Sequence, residues 1–220
     1  MKKTILLILL ILLSDALYSA VPESSVKIAR LKYGGGGDWY NDQSSEHNLL
    51  EFIKKRTNIQ VDSRYQFVDL SDDKLFEYPI IFLTGHGNIS FGEEEARRLR
   101  AYLDNGGFLY IDDDYGLDPF IRKEMKKVFP SKEFESVKSS HGIFSSHFKF
   151  QNGIPKIHEH DDKSPQVYSI NQNGRMCVFY TYESNLADGW ADADVHKDSP
   201  QKREASLKMG ANIIVWALSN

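Results

Sequence analysis

Two uninterrupted apolar runs, each followed by glycine or acidic residues, limit the fold of this chain more than any other feature. The runs are PIIFLTGHG, Pro79 to Gly87, and FLYIDDD, Phe108 to Asp114. A short, continuous apolar run bounded by turn residues is typical of a strand that is buried on both faces. The intervening GEEEARRLRAYLDNGG begins with acids that suit a helix N-terminus and ends at two glycines. This strand–helix–strand order predicts parallel neighbours joined by a helical crossover.

The flanking segments continue the same alternation. The predicted order is a strand at VKIARLKY, a helix at SSEHNLLEFIKKRTNI with Ser44 or Ser45 as its N-cap, a weak strand from Val61 to Leu70, and a helix near Phe120 to Phe129. Shorter strands are predicted at HGIFSSHFKF, VYSINQ and RMCVFYTYE, the last two joined by an Asn-Gly turn, before a closing amphipathic helix at REASLKMGANIIVWAL. The fold class is therefore α/β, a three-layer arrangement with a mostly parallel sheet and helices on both faces.

The N-terminus has the features of a signal peptide. Lys2 and Lys3 precede the apolar run Ile5 to Leu13, and small residues follow. Because this run is far shorter than the roughly 20 residues that span a bilayer, we expect cleavage and no stable membrane span afterwards. We expect residues 1–20 to be the signal peptide, residues 21–220 to form one α/β domain, and the protein to be exported, either periplasmic or secreted.

Charge and cysteine content narrow the classes of partner. The chain has 27 Lys and Arg against 31 Asp and Glu, a net charge of −4, which favours neither nucleic acid nor an anionic membrane surface. The single cysteine, Cys177, lies inside an apolar run and is expected to be a core residue without a disulfide. A small-molecule or envelope-derived ligand remains as the expected partner, and protein partners stay unknown.

Polar residues are concentrated where the predicted strands end. The segments GGGGDWYND, TGHGN and DDDYGLD each follow a strand, and ligands of open α/β sheets bind at the carboxyl ends of the strands. Asp113, Asp114 and His86 are therefore the predicted catalytic residues of these segments. The predicted ligand-binding residues are Gly35, Gly36, Asp38, Trp39, Gly87 and Tyr115. The glycine run lacks the lysine and hydroxyl residues of a phosphate loop, so it is either a ligand contact or only a sharp turn.

A second polar segment, PKIHEHDD, spans Pro155 to Asp162. If it is extended, His158 and His160 point to the same side and can share a metal ion, so a divalent metal is the one cofactor that the pattern suggests. His160 is also a predicted catalytic residue. The alternative is a pair of hydrogen-bonded histidines that hold a loop. Glu183, in TYESNLADGW, is predicted to bind ligand from a segment that closes over the same edge of the sheet.

From about Lys27 to the C-terminus, the chain resembles a bacterial family, domain of unknown function family 4159. The resemblance is carried by RLKYGGGGDWYND, LTGHG, GGFLYIDDDYGLD, PKIHEHD, GRMCVFYTYESNLADGW and LKMGANIIVWAL. It implies a flavodoxin-like fold similar to class I glutamine amidotransferases, without an established reaction. Amidotransferases place a nucleophilic cysteine on the turn after a strand, where this chain has Asp112 to Asp114, so glutaminase activity is not expected.

Three functions follow from these patterns. The first is a hydrolase that uses Asp113 or Asp114, as base or metal ligand, together with His158 or His160. In it, a carboxylate or a metal-bound hydroxide activates water, and backbone amides of TGHGN stabilise negative charge. The second is a module on the same fold that binds a ligand without turnover. The third is a structural partner in an envelope complex.

Overall fold

The two apolar runs form adjacent parallel strands in the middle of a seven-stranded sheet. The computed structural model describes residues 25–158 and 160–220, and in it β3 (Ile80–His86) pairs with β4 (Phe108–Tyr115) from Ile80 opposite Phe108 onward. Both strands are buried along almost their whole length, as continuous apolar sequence requires. The predicted signal peptide lies outside the described residues.

The remaining elements complete a mostly parallel sheet. The other strands are β1 (Ile28–Lys32), β2 (Phe67–Asp69), β5 (Glu135–Ser136), β6 (Gln166–Gln172) and β7 (Arg175–Tyr182). The strand order is β2-β1-β3-β4-β7-β6-β5; the first five are parallel, and β6 and β5 add an antiparallel edge. The helices are α1 (Ser45–Arg56), α2 (Glu93–Asp104), α3 (Asp118–Val128), α4 (Leu186–Trp190) and α5 (Pro200–Ser219).

Side chains of successive strand residues divide between two apolar clusters. In β3, Ile81 and Leu83 join a cluster that contains buried residues of α2 and α3, whereas Ile80 and Phe82 join a cluster with residues of α1, α4 and α5. This division follows from the two-residue repeat of a strand, which sends neighbouring side chains to opposite faces. The sheet therefore contributes to both clusters.

Most of the predicted helices and strands are confirmed; one predicted strand is wrong, and one is much shorter than predicted. The α/β class is confirmed, α1 begins after Ser44, and Asn173 and Gly174 both have positive φ (54° and 80°), as a tight hairpin turn requires. The predicted strand at HGIFSSHFKF is wrong, because this segment contains a short 3-10 helix at Gly142–Ser145. The Val61 to Leu70 strand is reduced to β2. None of the helices within residues 25–158 and 160–220 is long and apolar enough to cross a bilayer.

The strand order places a switch point between β1 and β3. From β1 the chain first adds β2 on one side and then β3 on the other, so the connections after β1 and β3 leave in opposite directions. In open α/β sheets, the crevice at such a point, outside the carboxyl ends of the strands, is where ligands bind. The polar segments that follow β1, β3 and β4 all lie at this edge.

A buried ion pair links this edge to the first helix. Arg30, in the middle of β1, is fully buried and donates two hydrogen bonds to the carboxylate of Glu46, at 2.6 and 2.7 Å. Its guanidinium also donates to the carbonyl oxygens of Trp39, Asn41 and Asp42. Because a bidentate contact fixes the guanidinium plane, Arg30 holds the loop after β1 in one position.

Replacing Glu46 with glutamine is expected to destabilise the fold strongly. The variant leaves the Arg30 charge buried without a counter-charge, a loss of about 3–5 kcal/mol in the free energy of unfolding. Urea denaturation measures this loss. The control is Glu94→Gln, which breaks the exposed pair with Arg97 and is expected to leave stability nearly unchanged. Equal stability of the two variants would contradict the role given to Arg30.

Candidate functional site

Three residues that were predicted from strand ends come together: the imidazole of His86 and the carboxylates of Asp38 and Asp114. Asp38 lies in the loop after β1, His86 is the last residue of β3, and Asp114 lies near the end of β4. His86 Nδ1 is 2.9 Å from Asp38 Oδ2, and His86 Nε2 is 3.3 Å from Asp114 Oδ2. The His86 side chain is 51% exposed, whereas the side chain of Asp114 is 5% exposed. A solvent-accessible imidazole therefore stands between two carboxylates.

The glycine run lets the loop after β1 pack closely against the loop after β3. Gly37 N donates to the Asn88 carbonyl at 2.9 Å, and Ser90 N donates to the Gly34 carbonyl at the same distance. Gly35 has a φ of 103°, and a Cβ atom there would lie 2.8 Å from the backbone of Ile89. Because two backbones approach so closely, the observed role of the run is a tight turn.

Two of the predicted ligand-binding residues in this loop face away from Asp114 or into solvent. The Trp39 ring packs beside Phe67, with centroids 6.0 Å apart, and the Nζ atom of Lys32 lies 5.3 Å from it. Gly36 is exposed, and a Cβ atom built there would meet no heavy atom within 4 Å among the described residues. Of the loop residues, Asp38 is the one whose side chain reaches His86.

The three adjacent acids of β4 have different partners. Asp112 is fully buried, and its carboxylate contacts the Thr181 hydroxyl and the backbone N–H of Ala187. The two oxygens of Asp113 each accept a backbone N–H, from Leu117 and Asp118, both at 2.9 Å. Asp112 is thus bonded inside the protein, and Asp113 is bonded to the start of α3. Asp114 is the one that faces the imidazole.

Two asparagines that the sequence patterns did not identify hold Asp114. Asn41 Nδ2 donates to Asp114 Oδ2 at 2.5 Å, and Asn185 Nδ2 lies 2.9 Å from Asp114 Oδ1 and 2.7 Å from His160 Nε2. Asn185 is buried with a left-handed backbone (φ 53°), which asparagine tolerates better than most residues. The signal for Asn41 was its place in the loop after β1, two residues beyond Trp39.

The predicted histidine pair is divided between two sets of partners. His158 Nδ1 lies 2.5 Å from Asp188 Oδ2, and its Nε2 lies 3.1 Å from the Asp198 carboxylate. His160 instead contacts Asn185, and its ring lies 4.6 Å from the ring of Tyr115. The structure thus places His158, rather than His160, beside a buried carboxylate.

A further imidazole joins this region without having been predicted. His196 Nε2 lies 2.8 Å from Asp42 Oδ2 and 3.9 Å from Asp188 Oδ1. The segment TYESNLADGW, predicted to close over the edge, supplies Asp188. The signal for His196 was weak: a histidine among acids in ADADVHKD, between α4 and α5.

Asp114 also lines a cleft of about 250 Å³. Glu183, predicted to bind ligand, lines it with a left-handed backbone (φ 58°) and an oxygen 3.4 Å from Lys156 Nζ. The lining residues are Asp113, Asp114, Tyr115, Gly116, Asp118, Pro119, His160, Asp161, Tyr182 and Glu183. Carboxyl groups and aromatic rings dominate, so the cleft suits a polar ligand that is neutral or positively charged.

Burial and neighbouring charge change the proton affinities at this site. Burial, and then the charge of Asp188, raise the pKa of Asp114 to about 7, although His86 opposes the change. Burial lowers the pKa of His86, but the carboxylates of Asp114 and Asp38 outweigh it, so this pKa is raised above its usual value. Asp114 therefore exchanges its proton close to neutral pH, and His86 holds its proton more tightly than an ordinary histidine does.

The predicted oxyanion site in TGHGN is already partly occupied. The backbone N–H of His86 donates to Asp38 Oδ1 at 2.6 Å, and the backbone N–H of Gly87 donates to the carbonyl of Tyr115 at 2.9 Å. These two amides position the loop after β3 and are not free to bind a ligand. Gly87 therefore contributes to the site through its backbone contact with Tyr115.

Cys177 has the expected properties of a core residue. It is fully buried in β7, and burial raises the pKa of its thiol to about 11. Since the thiolate is the nucleophilic form, this side chain is inert at neutral pH.

The stability of the protein is expected to carry a pH dependence from Asp113. Burial raises its pKa to about 6, against the effect of its two backbone hydrogen bonds. Native Asp113 therefore retains a proton at pH values where the unfolded carboxyl has lost it, and rising pH favours unfolding. Between about pH 4 and 6.5, the stability advantage of the wild type over Asp113→Asn should shrink by roughly 2–3 kcal/mol. Urea denaturation at a series of pH values checks this, and two parallel stability curves would refute it.

Comparison with known proteins identifies a family match. The family model described as Domain of unknown function (DUF4159) matches residues 27–218, which include all seven strands and all the helices except the last residue of α5. No curated protein matches the chain. The resemblance drawn from the sequence motifs is therefore confirmed for the family, whose description names no reaction.

Proposed function

We propose a function from the geometry of the site itself, because the chain belongs to the DUF4159 family and the description of that family assigns no reaction. The function is hydrolysis of a neutral or cationic polar substrate, with His86 and Asp114 as the acid–base pair. Asp38 orients the imidazole, and the neighbouring cleft holds part of the substrate.

The observation that carries this proposal is the His86 ring held between two carboxylates. Asp38 accepts from Nδ1–H, which leaves Nε2 of the neutral ring as a base. The same carboxylate also accepts the backbone N–H of His86 at 2.6 Å, so ring and backbone are fixed together. Asp114 is buried, lies 3.3 Å from Nε2, and has a pKa raised to about 7, so it can supply a proton near neutral pH.

In the proposed reaction, His86 accepts one proton and Asp114 donates one. The oxygen of a water molecule bonds to the carbonyl or anomeric carbon of the substrate while its proton moves to His86 Nε2. The bond to the leaving group breaks, and the leaving oxygen or nitrogen takes a proton from Asp114. Transfer of the proton from His86 to Asp114 then restores the starting state. Asn41 and Asn185 hold the Asp114 carboxyl at the required position.

The cleft indicates the class of substrate. Its volume of about 250 Å³ is below the roughly 300–1,000 Å³ of pockets for drug-sized ligands, so it suits one small group, such as a sugar ring or one side chain of a peptide. Its carboxyl groups disfavour phosphate and carboxylate substrates by charge repulsion. Tyr115 and Tyr182 supply ring faces against which a sugar can pack.

A module that binds this ligand without turnover is the second candidate. Both ring nitrogens of His86 have a carboxylate neighbour, and the backbone N–H groups of His86 and Gly87 have acceptors. These contacts favour a rigid recognition surface as well as a catalytic one. The two candidates share one binding site and differ in whether product is released.

The proposal also covers where the protein acts in the cell and which α/β fold it has. We propose that residues 1–20 are removed as a signal peptide and that residues 21–220 act outside the cytoplasm, where carbohydrate and peptide of the envelope are available. The division of strand residues between two apolar clusters supports a three-layer arrangement similar to that of class I glutamine amidotransferases. The acids after β4 and the buried thiol of Cys177 argue against glutaminase chemistry within such a fold.

Replacing His86 with glutamine is expected to remove catalysis and keep the fold. A panel of chromogenic glycosides, esters and aminoacyl amides identifies the substrate class, and the kcat/KM of the hydrolysed compound should fall about 10²–10⁴-fold in the variant. The thermal unfolding midpoint should change little, because the His86 side chain is half exposed.

The control for this variant is His141→Gln. His141 packs against Trp216 on another part of the protein, and its replacement should leave turnover unchanged. Undiminished turnover by His86→Gln would sink the acid–base role. If a compound binds to the wild type without product formation, and the affinity falls in Asp114→Asn, the recognition module is the correct candidate.

A further inference from the structure

His158, Asp188 and His196 meet from three separate segments: the loop before β6, helix α4, and the connection between α4 and α5. One ligand atom from each lies within 4.8 Å of the other two. Around a tetrahedral zinc ion, ligand atoms are roughly 3.4 Å apart, because each lies about 2.0–2.2 Å from the metal. We propose that these three side chains bind one divalent transition-metal ion.

A buried oxygen without a partner supports the site independently of the clustering. Asp188 is 4% exposed, and no donor in the described part of the chain hydrogen-bonds to its Oδ1. Its other oxygen contacts His158 Nδ1 at 2.5 Å, while Oδ1 lies 3.9 Å from His196 Nε2. A buried carboxylate oxygen is costly without a donor or a cation, and an ion between the two imidazoles satisfies it.

The surroundings of His158 match those of a metal-binding histidine. Its Nε2 lies 3.1 Å from the Asp198 carboxylate, while Nδ1 faces Asp188. Histidines that bind metal commonly donate their second N–H to a carboxylate, which fixes the tautomer and makes the binding nitrogen more basic. Asp198 is thus the positioning residue for His158.

A cluster of carboxylates beside these three side chains also favours a bound cation. Asp42, Asp114 and Asp188 each bring a carboxylate oxygen within 4.8 Å of the others. Three carboxylates at this separation repel one another unless they are protonated or neutralised. Because Asp188 belongs to both groups, an ion bound beside it lowers this repulsion directly.

The donor set selects the kind of ion. Two imidazole nitrogens and one carboxylate suit zinc and neighbouring transition metals, whereas Ca²⁺ and Mg²⁺ prefer oxygen ligands. Three protein ligands also leave a coordination position for water or a ligand. The sequence pattern His-x-His had suggested a metal held by His158 and His160; in the proposed site, Asp188 and His196 take the place of His160.

This inference goes beyond the proposed hydrolysis and does not depend on it. A protein that binds its ligand without turnover can bind the same ion. The test therefore reads metal binding rather than catalysis, so that the two proposals fail separately.

The test is titration of the chelator-treated protein with Zn²⁺ by calorimetry, together with competition against a chromogenic chelator. We expect one equivalent of Zn²⁺ to bind with a dissociation constant in the micromolar range or tighter, and Ca²⁺ to bind at least 100-fold more weakly. At a free Zn²⁺ concentration of 100 times this constant, the folding equilibrium constant should rise about 100-fold. The thermal unfolding midpoint should therefore rise with Zn²⁺ and return after EDTA.

Two variants and one control locate the ion. His196→Gln removes a ligand, and Asp198→Asn alters the partner of His158; each is expected to weaken Zn²⁺ binding about 10–100-fold. The control, His47→Gln, changes an exposed imidazole of α1 and should bind Zn²⁺ like the wild type. Because Asp198 is not a ligand, Asp198→Asn keeps the test decisive if His196→Gln does not fold.

Three results would overturn the proposal. The first is the absence of a stoichiometric Zn²⁺ site in the wild type. The second is equal Zn²⁺ affinity of the wild type and both variants. The third is an equal loss of affinity in His47→Gln, which would mean that the ion binds to scattered surface histidines.

Discussion

The buried contact between Arg30 and Glu46 determines where the candidate site can form. Arg30 stands in β1, Glu46 stands in α1, and the guanidinium reaches the carbonyl oxygens of the loop between them. That loop carries Asp38 and Asn41, so one cation fixes the groups that hold both the imidazole and Asp114. The charge of Arg30 is buried inside the protein, whereas the acids around the His86 imidazole lie at the edge of the sheet.

The parallel sheet explains why so many acids share a small region. All parallel strands end at the same edge of the sheet. Asp38 follows β1, His86 and Asp114 lie at the ends of β3 and β4, and Asp188 lies in the helix that follows β7. Imidazoles separate several of these carboxylates, at His86, His158 and His196. Such an alternation of acid and imidazole moderates repulsion and leaves proton-binding or metal-binding groups in reach of solvent.

Much of the fold, but less of the site, could be predicted from sequence. Apolar runs and helical periodicity identify β3, β4 and α2 because their burial is set by local pattern. The rule of strand ends predicted Asp38, His86 and Asp114 as site residues. It could not separate Asp113 from Asp114, since the difference lies in which backbone N–H groups the start of α3 presents. Asn185, Asp42 and His196 depend on loops that fold back over the edge, and no periodic signal describes such contacts. The HGIFSSHFKF error has the same origin, because a short apolar run fits a 3-10 turn as well as a strand.

Two residues with left-handed backbone, Glu183 and Asn185, flank Ser184 in the segment beside Asp114. A non-glycine residue in this conformation costs roughly 1–2 kcal/mol, so the segment keeps its shape only because neighbouring contacts impose it. Asn185 is held by Asp114 and His160, and Glu183 is held near Lys156. The segment is consequently preorganised: an incoming molecule meets a surface whose conformational entropy was already lost during folding, and its affinity is not reduced by the ordering of this segment.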